Sequence, residues 1–237
     1  MALPLLEHQL PGALVAFCGI DGSGKTSLIQ ALAEHLGEQG FEVVTTMQPS
    51  RDARESPLFR RYIYEPDRRH LVDYRALICL LTSDRLQHIH EVVLPALEAG
   101  TVVITDRYVF TGLAQMQARG YHDERWFVDI CRHVPRPDLT LLCDPGFDVS
   151  QARVGRRTDW RDSYIEADHD QQLYLNYQTV ADEEGLVRFD TSTPVEETLP
   201  RLLDLVTERL PQLAVRREPG GRVRSWEARG EPRSRWP

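Results

Sequence analysis

A short apolar run, ALVAF (Ala13 to Phe17), opens into a glycine loop, and the loop leads into a stretch with leucines at helical spacing, Leu28, Leu32 and Leu36. The join is FCGIDGSGKTS, Phe17 to Ser27. It satisfies G-x-x-x-x-G-K-[ST] through Gly19, Gly24, Lys25 and Thr26. Strand, loop and helix in this order let backbone N–H groups curl around phosphate oxygens at the positive end of a helix. Lys25 is expected to reach the β- and γ-phosphates of a nucleoside triphosphate, and Thr26 to offer its hydroxyl to Mg²⁺. Gly22, Ser23, Gly24 and Ser27 complete the expected cradle. Positions 19, 22 and 24 do not give the glycine spacing of a dinucleotide fingerprint, which disfavours hydride transfer.

One compositional fact sharpens this reading. The chain holds 28 lysines and arginines, and Lys25 is its one lysine. Arginine presents a wide planar fork, whereas lysine ends in a compact point charge that fits a nest of backbone amides. A chain that uses arginine at every other basic position places a constraint on this one.

Apolar runs alternate with helical patterns along the rest of the chain. FEVVTTM, TVVITD, DLTLLCD and LVRFD read as four further strands, with Asp106 and Asp144 at the C-terminal ends of TVVITD and DLTLLCD. LVDYRALICLLTSDRLQHIHEVVLPALEAG reads as a long helix disturbed at Pro95 and ending at Gly100. Two helices are expected between Val149 and Glu184, and PVEETLPRLLDLVTERL reads as a closing helix. This alternation predicts five parallel strands with helices on both faces, and ligands at the C-terminal strand ends. At 237 residues, with 41% hydrophobic residues, one domain over 1–213 is expected.

The net charge of −8 is unevenly spread. From Val215 to Pro237 there are seven arginines and three glutamates among many Gly and Pro residues, so residues 214–237 are expected to form a basic, disordered tail. An acidic body argues against nucleic acid as the main partner, although the tail leaves a nucleic-acid arm as an alternative. The apolar opening is interrupted by Glu7, His8 and Pro11 and is not read as a signal peptide. No run is long enough for a membrane span. The scattered Cys18, Cys79, Cys131 and Cys143 suggest a reduced, cytoplasmic protein.

Four segments, in order, resemble the thymidylate kinase family of P-loop nucleoside monophosphate kinases: FCGIDGSGKTS, DRYVFTGLA, PDLTLLCDPGFDVSQAR and ARVGRRTDWRD followed by a helix containing Tyr177. The resemblance covers about Ala13 to Leu210. It implies a three-layer P-loop kinase fold with a small arginine-rich lid near 153–163. It also implies ATP- and Mg²⁺-dependent transfer of a phosphoryl group to dTMP, and pairing as a homodimer. Asp21 would approach the acceptor sugar, and Arg51, Leu81, Arg85, Arg107 and Tyr108 would surround the acceptor. Asp106 would act near Mg²⁺, with Arg153 and Arg157 closing over the phosphates. Arg156 and Arg161 share the lid, where a solvated basic helix is the competing reading, and Tyr164, Trp160 and Tyr177 read as packing. Asp144 is open between structural and catalytic roles.

Three positions depart from the family pattern. Leu81 stands where the family usually stacks an aromatic ring on thymine. Gln115 and Met116 follow Ala114 where Ala-Tyr-Gln is usual, and Gln48-Pro49-Ser50 replaces Glu-Pro-Gly. A paralogue that phosphorylates a modified nucleotide or another small phosphorylated metabolite therefore stays open. So does a nucleotide-dependent switch protein, although neither γ-phosphate-sensing loops nor a water-positioning glutamine is evident.

Overall fold

A computed structural model describes residues 2–156, 167–214 and 221–226. Most of the lid, with Arg157, Trp160, Arg161 and Tyr164, lies outside the described residues, as does most of the expected tail.

The chain begins with β1 (Ala13–Cys18), α1 (Lys25–Glu38) and β2 (Val43–Met47). Two short helices follow, α2 (Arg51–Glu55) and α3 (Pro57–Tyr64), each started by a serine whose hydroxyl accepts a backbone N–H of the first turn. Helix α4 (Tyr74–His88) runs through a π-helical turn, Ile89–Val93, into α5 (Leu94–Glu98). The widened turn lies immediately before Pro95, which has no N–H to donate and crowds the carbonyl of the preceding turn. Next come β3 (Val102–Asp106), α6 (Val109–Ala118), α7 (Arg125–Ile130) and β4 (Leu139–Cys143). The chain continues through α8 (Phe147–Val154), α9 (Ala167–Glu184), β5 (Val187–Phe189), α10 (Val195–Arg209) and β6 (Val223–Ser225).

The strands form one parallel sheet in the order β5-β4-β1-β3-β2-β6. Because β1 is buried on both faces, its residues alternate between two cores. Leu14, Ala16 and Cys18 pack on the side of α4, α6 and α9, while Ala13, Val15 and Phe17 pack on the side of α1 and α10. Burial of both faces explains the continuous apolar runs in the sequence.

The sheet has six strands, not the five expected. The sixth comes from the stretch read as a disordered tail. Residues 221–226 run along the free edge of β2, where Val43 N–H donates to Arg222 O at 2.9 Å and Trp226 N–H to Thr45 O at 3.0 Å. Val223 lies so close to α1 that a Cβ on Gly37 would stand 2.7 Å from its Cγ2. Arg, Gly and Pro dominate this stretch, and three residues of edge pairing are too short for a periodicity signal to show. Among the described residues, no helix is long and apolar enough to cross a membrane.

Candidate functional site

All six strands run in one direction, so the loops after β1, β2 and β3 emerge together. They surround a cavity of about 530 Å³ lined by Lys25, Asp106, Arg107, Arg85 and Arg54, among others.

The loop after β1 supplies one wall. Gly22 has φ +79°, and a Cβ there would stand 2.2 Å from Ser150 O, so any side chain meets both backbone strain and α8. Lys25, at the first position of α1, is buried, and its Nζ donates to Gly19 O (3.1 Å), Ile20 O (2.9 Å) and Ser23 Oγ (3.2 Å). Burial pushes its pKa down, and Arg107 adds to this, while Asp106 and Asp21 oppose it. Two other segments brace the loop. Thr191, just past β5, donates its hydroxyl to Ser23 O at 2.7 Å. Arg153 of α8 spans from Gly22 O (3.5 Å) to Ser192 O (3.0 Å).

The ends of β1 and β3 meet beyond Lys25. Thr26 Oγ1 lies 3.4 Å from Asp106 Oδ2, and Asp106 Oδ1 is buried without a hydrogen-bond partner. An orphaned carboxylate oxygen beside a threonine hydroxyl suits Mg²⁺, which takes one or two protein oxygens and completes its octahedron with phosphates and water. Among the described residues no group of three or more His, Cys, Asp or Glu could form an all-protein cage, and this type of site needs none.

Arg107 follows Asp106 with φ +67°, the one positive φ on a non-glycine residue among those described. Such a conformation costs on the order of 1 kcal/mol and persists only where its surroundings fix it. Its guanidinium pairs with Asp21 and donates to Gly19 O (3.1 Å) and Tyr177 Oη (3.3 Å). Burial works against its charge, but Asp21, Tyr177 and Asp106 more than offset this and raise its pKa.

The far wall combines aromatic and cationic groups. Leu81 and Arg85 lie one turn apart on α4, and both line the cavity. Arg85 is buried, and its Nε donates to Gln48 Oε1 at 2.8 Å. Arg119, past α6, donates from Nε to Tyr62 Oη at 2.7 Å, and its guanidinium sits 4.6 Å from the Tyr74 ring centre. Asp170 of α9 also faces the cavity. Burial raises its carboxyl to about 6, against a hydrogen bond from Gln151 that lowers it.

This layout matches a known pattern. The sequence model of the family described as Thymidylate kinase matches residues 17–201. The chain belongs to the thymidylate kinase family. Curated thymidylate kinase relatives cover much of it. It is 34% identical over 205 residues to the "Probable thymidylate kinase" of Pyrococcus abyssi, spanning 84% of this chain and 98% of that protein. To the protein of the same description from Thermococcus gammatolerans it is 36% identical over 152 residues, 62% of this chain and 72% of that one.

Within the thymidylate kinase frame, most expected site residues converge. Asp21, Gly22, Gly24, Lys25, Thr26, Ser27, Leu81, Arg85, Asp106 and Arg107 line one cavity. Ser23 is buried behind the loop and accepts from Lys25.

Tyr108 requires a correction. Its ring is fully buried in the core, and its hydroxyl donates to Pro135 O at 2.9 Å, so it is outside the cavity. The resemblance of DRYVFTGLA to the family motif implies an acceptor role for Tyr108, whereas its ring packs in the core next to Phe110. Arg51 is also outside the lining: it is exposed at the start of α2 and pairs with Glu55 at 2.8 Å. Arg54, one helical turn on, enters the cavity instead and donates to Pro49 O at 2.8 Å.

Asp144 accepts from Gly146 N (3.0 Å), Tyr174 Oη (3.1 Å) and Gln178 Nε2 (2.8 Å) and is not among the residues that line the cavity. Arg119, Thr191 and Asp170 were missed by the sequence reading. Thr191 alone had a signal, its place at the C-terminal end of a strand.

Proposed function

We propose that this chain transfers the γ-phosphoryl group of ATP to dTMP, giving ADP and dTDP, with Mg²⁺ as cofactor. One observation carries the reading: a phosphate loop and three arginines free of ion pairs among the described residues, Arg54, Arg85 and Arg119, open into one cavity of a thymidylate kinase family member. Donor and acceptor phosphates both need cationic walls, and a single cavity brings them into line.

Lys25 holds a desolvated charge at the bottom of the donor side, where approaching phosphate oxygens replace its three present acceptors. Thr26 and Asp106 would hold Mg²⁺, which would neutralise phosphate charge when bound. Arg107, locked by Asp21, stands between the two halves and faces the group in flight. Arg54 and Arg85 orient the acceptor, and Arg153, together with the lid residue Arg157, excludes water from the donor side. Leu81 offers an aliphatic face to the base where a ring would stack, so a different pyrimidine monophosphate is the second reading.

Cytoplasmic location belongs to the same reading. So does pairing of two copies through the exposed line of Ala76, Cys79 and Ser83 on α4. Sedimentation equilibrium returning a monomer would rule out the pairing.

A coupled ADP-release assay over a panel of nucleoside monophosphates tests the acceptor. The expected result is highest kcat/KM with dTMP. Turnover with dTMP no faster than hydrolysis of ATP alone would end the thymidylate reading.

A further inference from the structure

Behind the acceptor wall, a line of buried polar groups runs from the cavity into the sheet. Arg85 Nε lies 2.8 Å from Gln48 Oε1, Gln48 Nε2 lies 3.3 Å from His88 Nδ1, and His88 Nε2 lies 2.7 Å from Thr46 Oγ1. All four residues are buried. Arg85 and His88 share one face of α4, while Thr46 and Gln48 belong to β2 and the loop after it.

The direction of every bond follows from one end. An arginine N–H only donates, so the Gln48 atom facing it is the carbonyl oxygen. The Gln48 amide nitrogen therefore faces His88, and because it too only donates, His88 Nδ1 must accept. The ring proton is then on Nε2, donating to Thr46. Burial holds the His88 pKa down to about 4, in keeping with a neutral ring.

Arg85 depends on this line. Among the described residues it has no ion pair, and the neighbouring Asp84 is turned away to accept from Ser50 N at 2.9 Å. A buried guanidinium held at Nε by one amide has its terminal nitrogens left for a ligand. One of them lies 3.8 Å from where a Cβ on Gly112 would stand, so the side chain also rests on α6.

We propose that His88 is a positioning residue for the acceptor: as the Nε2–H tautomer it fixes the Gln48 amide, and Gln48 in turn aims the Arg85 guanidinium into the cavity. This deepens the function proposed above and rests on it. Without an acceptor at the Nδ1 position, the Gln48 amide can flip and turn its NH₂ toward Arg85, donor against donor.

Two measurements test it. In the unsubstituted protein labelled with ¹⁵N-histidine, His88 Nδ1 is expected to resonate as the unprotonated nitrogen and Nε2 as the protonated one. The opposite tautomer, or a charged ring near pH 7, overturns the relay and needs no acceptor to do so. In steady-state kinetics with dTMP, His88→Leu should raise the acceptor KM about fivefold to tenfold, the loss of one buried hydrogen bond, and leave the KM for ATP in place. His88→Asn, whose Oδ1 can accept near the Nδ1 position, should recover most of that loss. Gln48→Met should match His88→Leu, and the double variant should be no worse than either, which guards against a misfolded single variant. An acceptor KM unchanged in both His88→Leu and Gln48→Met contradicts the proposal. So does an equal rise in both substrates' KM values. Absence of dTMP turnover in the unsubstituted enzyme would count against the acceptor reading instead, and the tautomer measurement would still decide the relay.

Discussion

At the scale of single residues, Lys25 carries the strongest constraint. Its Nζ is enclosed by two carbonyls and a hydroxyl within 3.2 Å, a space shaped for an ammonium and too narrow for a planar guanidinium. Lys25→Arg should therefore lose nearly all transfer while keeping its fold, as read by kcat beside thermal melting. A fully active arginine variant would remove the argument drawn from the lone lysine. Tyr108 gives the opposite case. Tyr108→Phe leaves Pro135 O unsatisfied in the core and should cost about 1–3 kcal/mol of stability with no change in either KM. A raised acceptor KM in that variant would return Tyr108 to the site. The phosphate-loop residues were legible from motif spacing, and Leu81 and Arg85 from the resemblance to the thymidylate kinase family. The choice of Arg54 over Arg51 was not legible, since it depends on how a five-residue helix is seated, and short helices carry little periodicity.

At the scale of elements, the five longer runs of alternating strand and helix were readable in the sequence because each central strand is buried on both faces and so continuously apolar. β6 escaped notice. It has three residues, two of them exposed, paired along the edge of β2, a run too short for patterning to reveal. Its contribution can be separated from catalysis. Removing residues 215–237 strips the cover from β2 and leaves an open edge of N–H and C=O groups. The truncated chain should melt at lower temperature and self-associate more readily, seen by calorimetry and light scattering, with dTMP kinase turnover close to that of the full chain. An unchanged melting temperature would mean that β6 adds nothing to the fold. A large loss of turnover would give the tail a catalytic part.

At the scale of the whole molecule, the cavity concentrates charge that folding alone would not choose. Asp170 is buried in its wall, and its carboxyl moves from an ordinary value of 3.8 up to about 6. In the window between those values the folded chain keeps a proton that the unfolded chain has released, so stability falls as pH rises through it and stays lower above about 6. The cost is on the order of 1–3 kcal/mol. Asp170→Asn should therefore melt higher than the unsubstituted chain at pH 7.5, with the difference closing toward pH 4. No difference at pH 7.5 would show that the carboxylate is not strained there. A group that destabilises the fold yet faces the cavity is a mark of function.

Everything in this cavity converges on moving a phosphoryl group from ATP to dTMP. Incubation with γ-³²P-labelled ATP, Mg²⁺ and dTMP tests it most directly, with products separated by charge. Label should appear in dTDP and disappear from it in Lys25→Ala; label found only in inorganic phosphate, or carried to dTDP equally well without Lys25, would overturn this transfer.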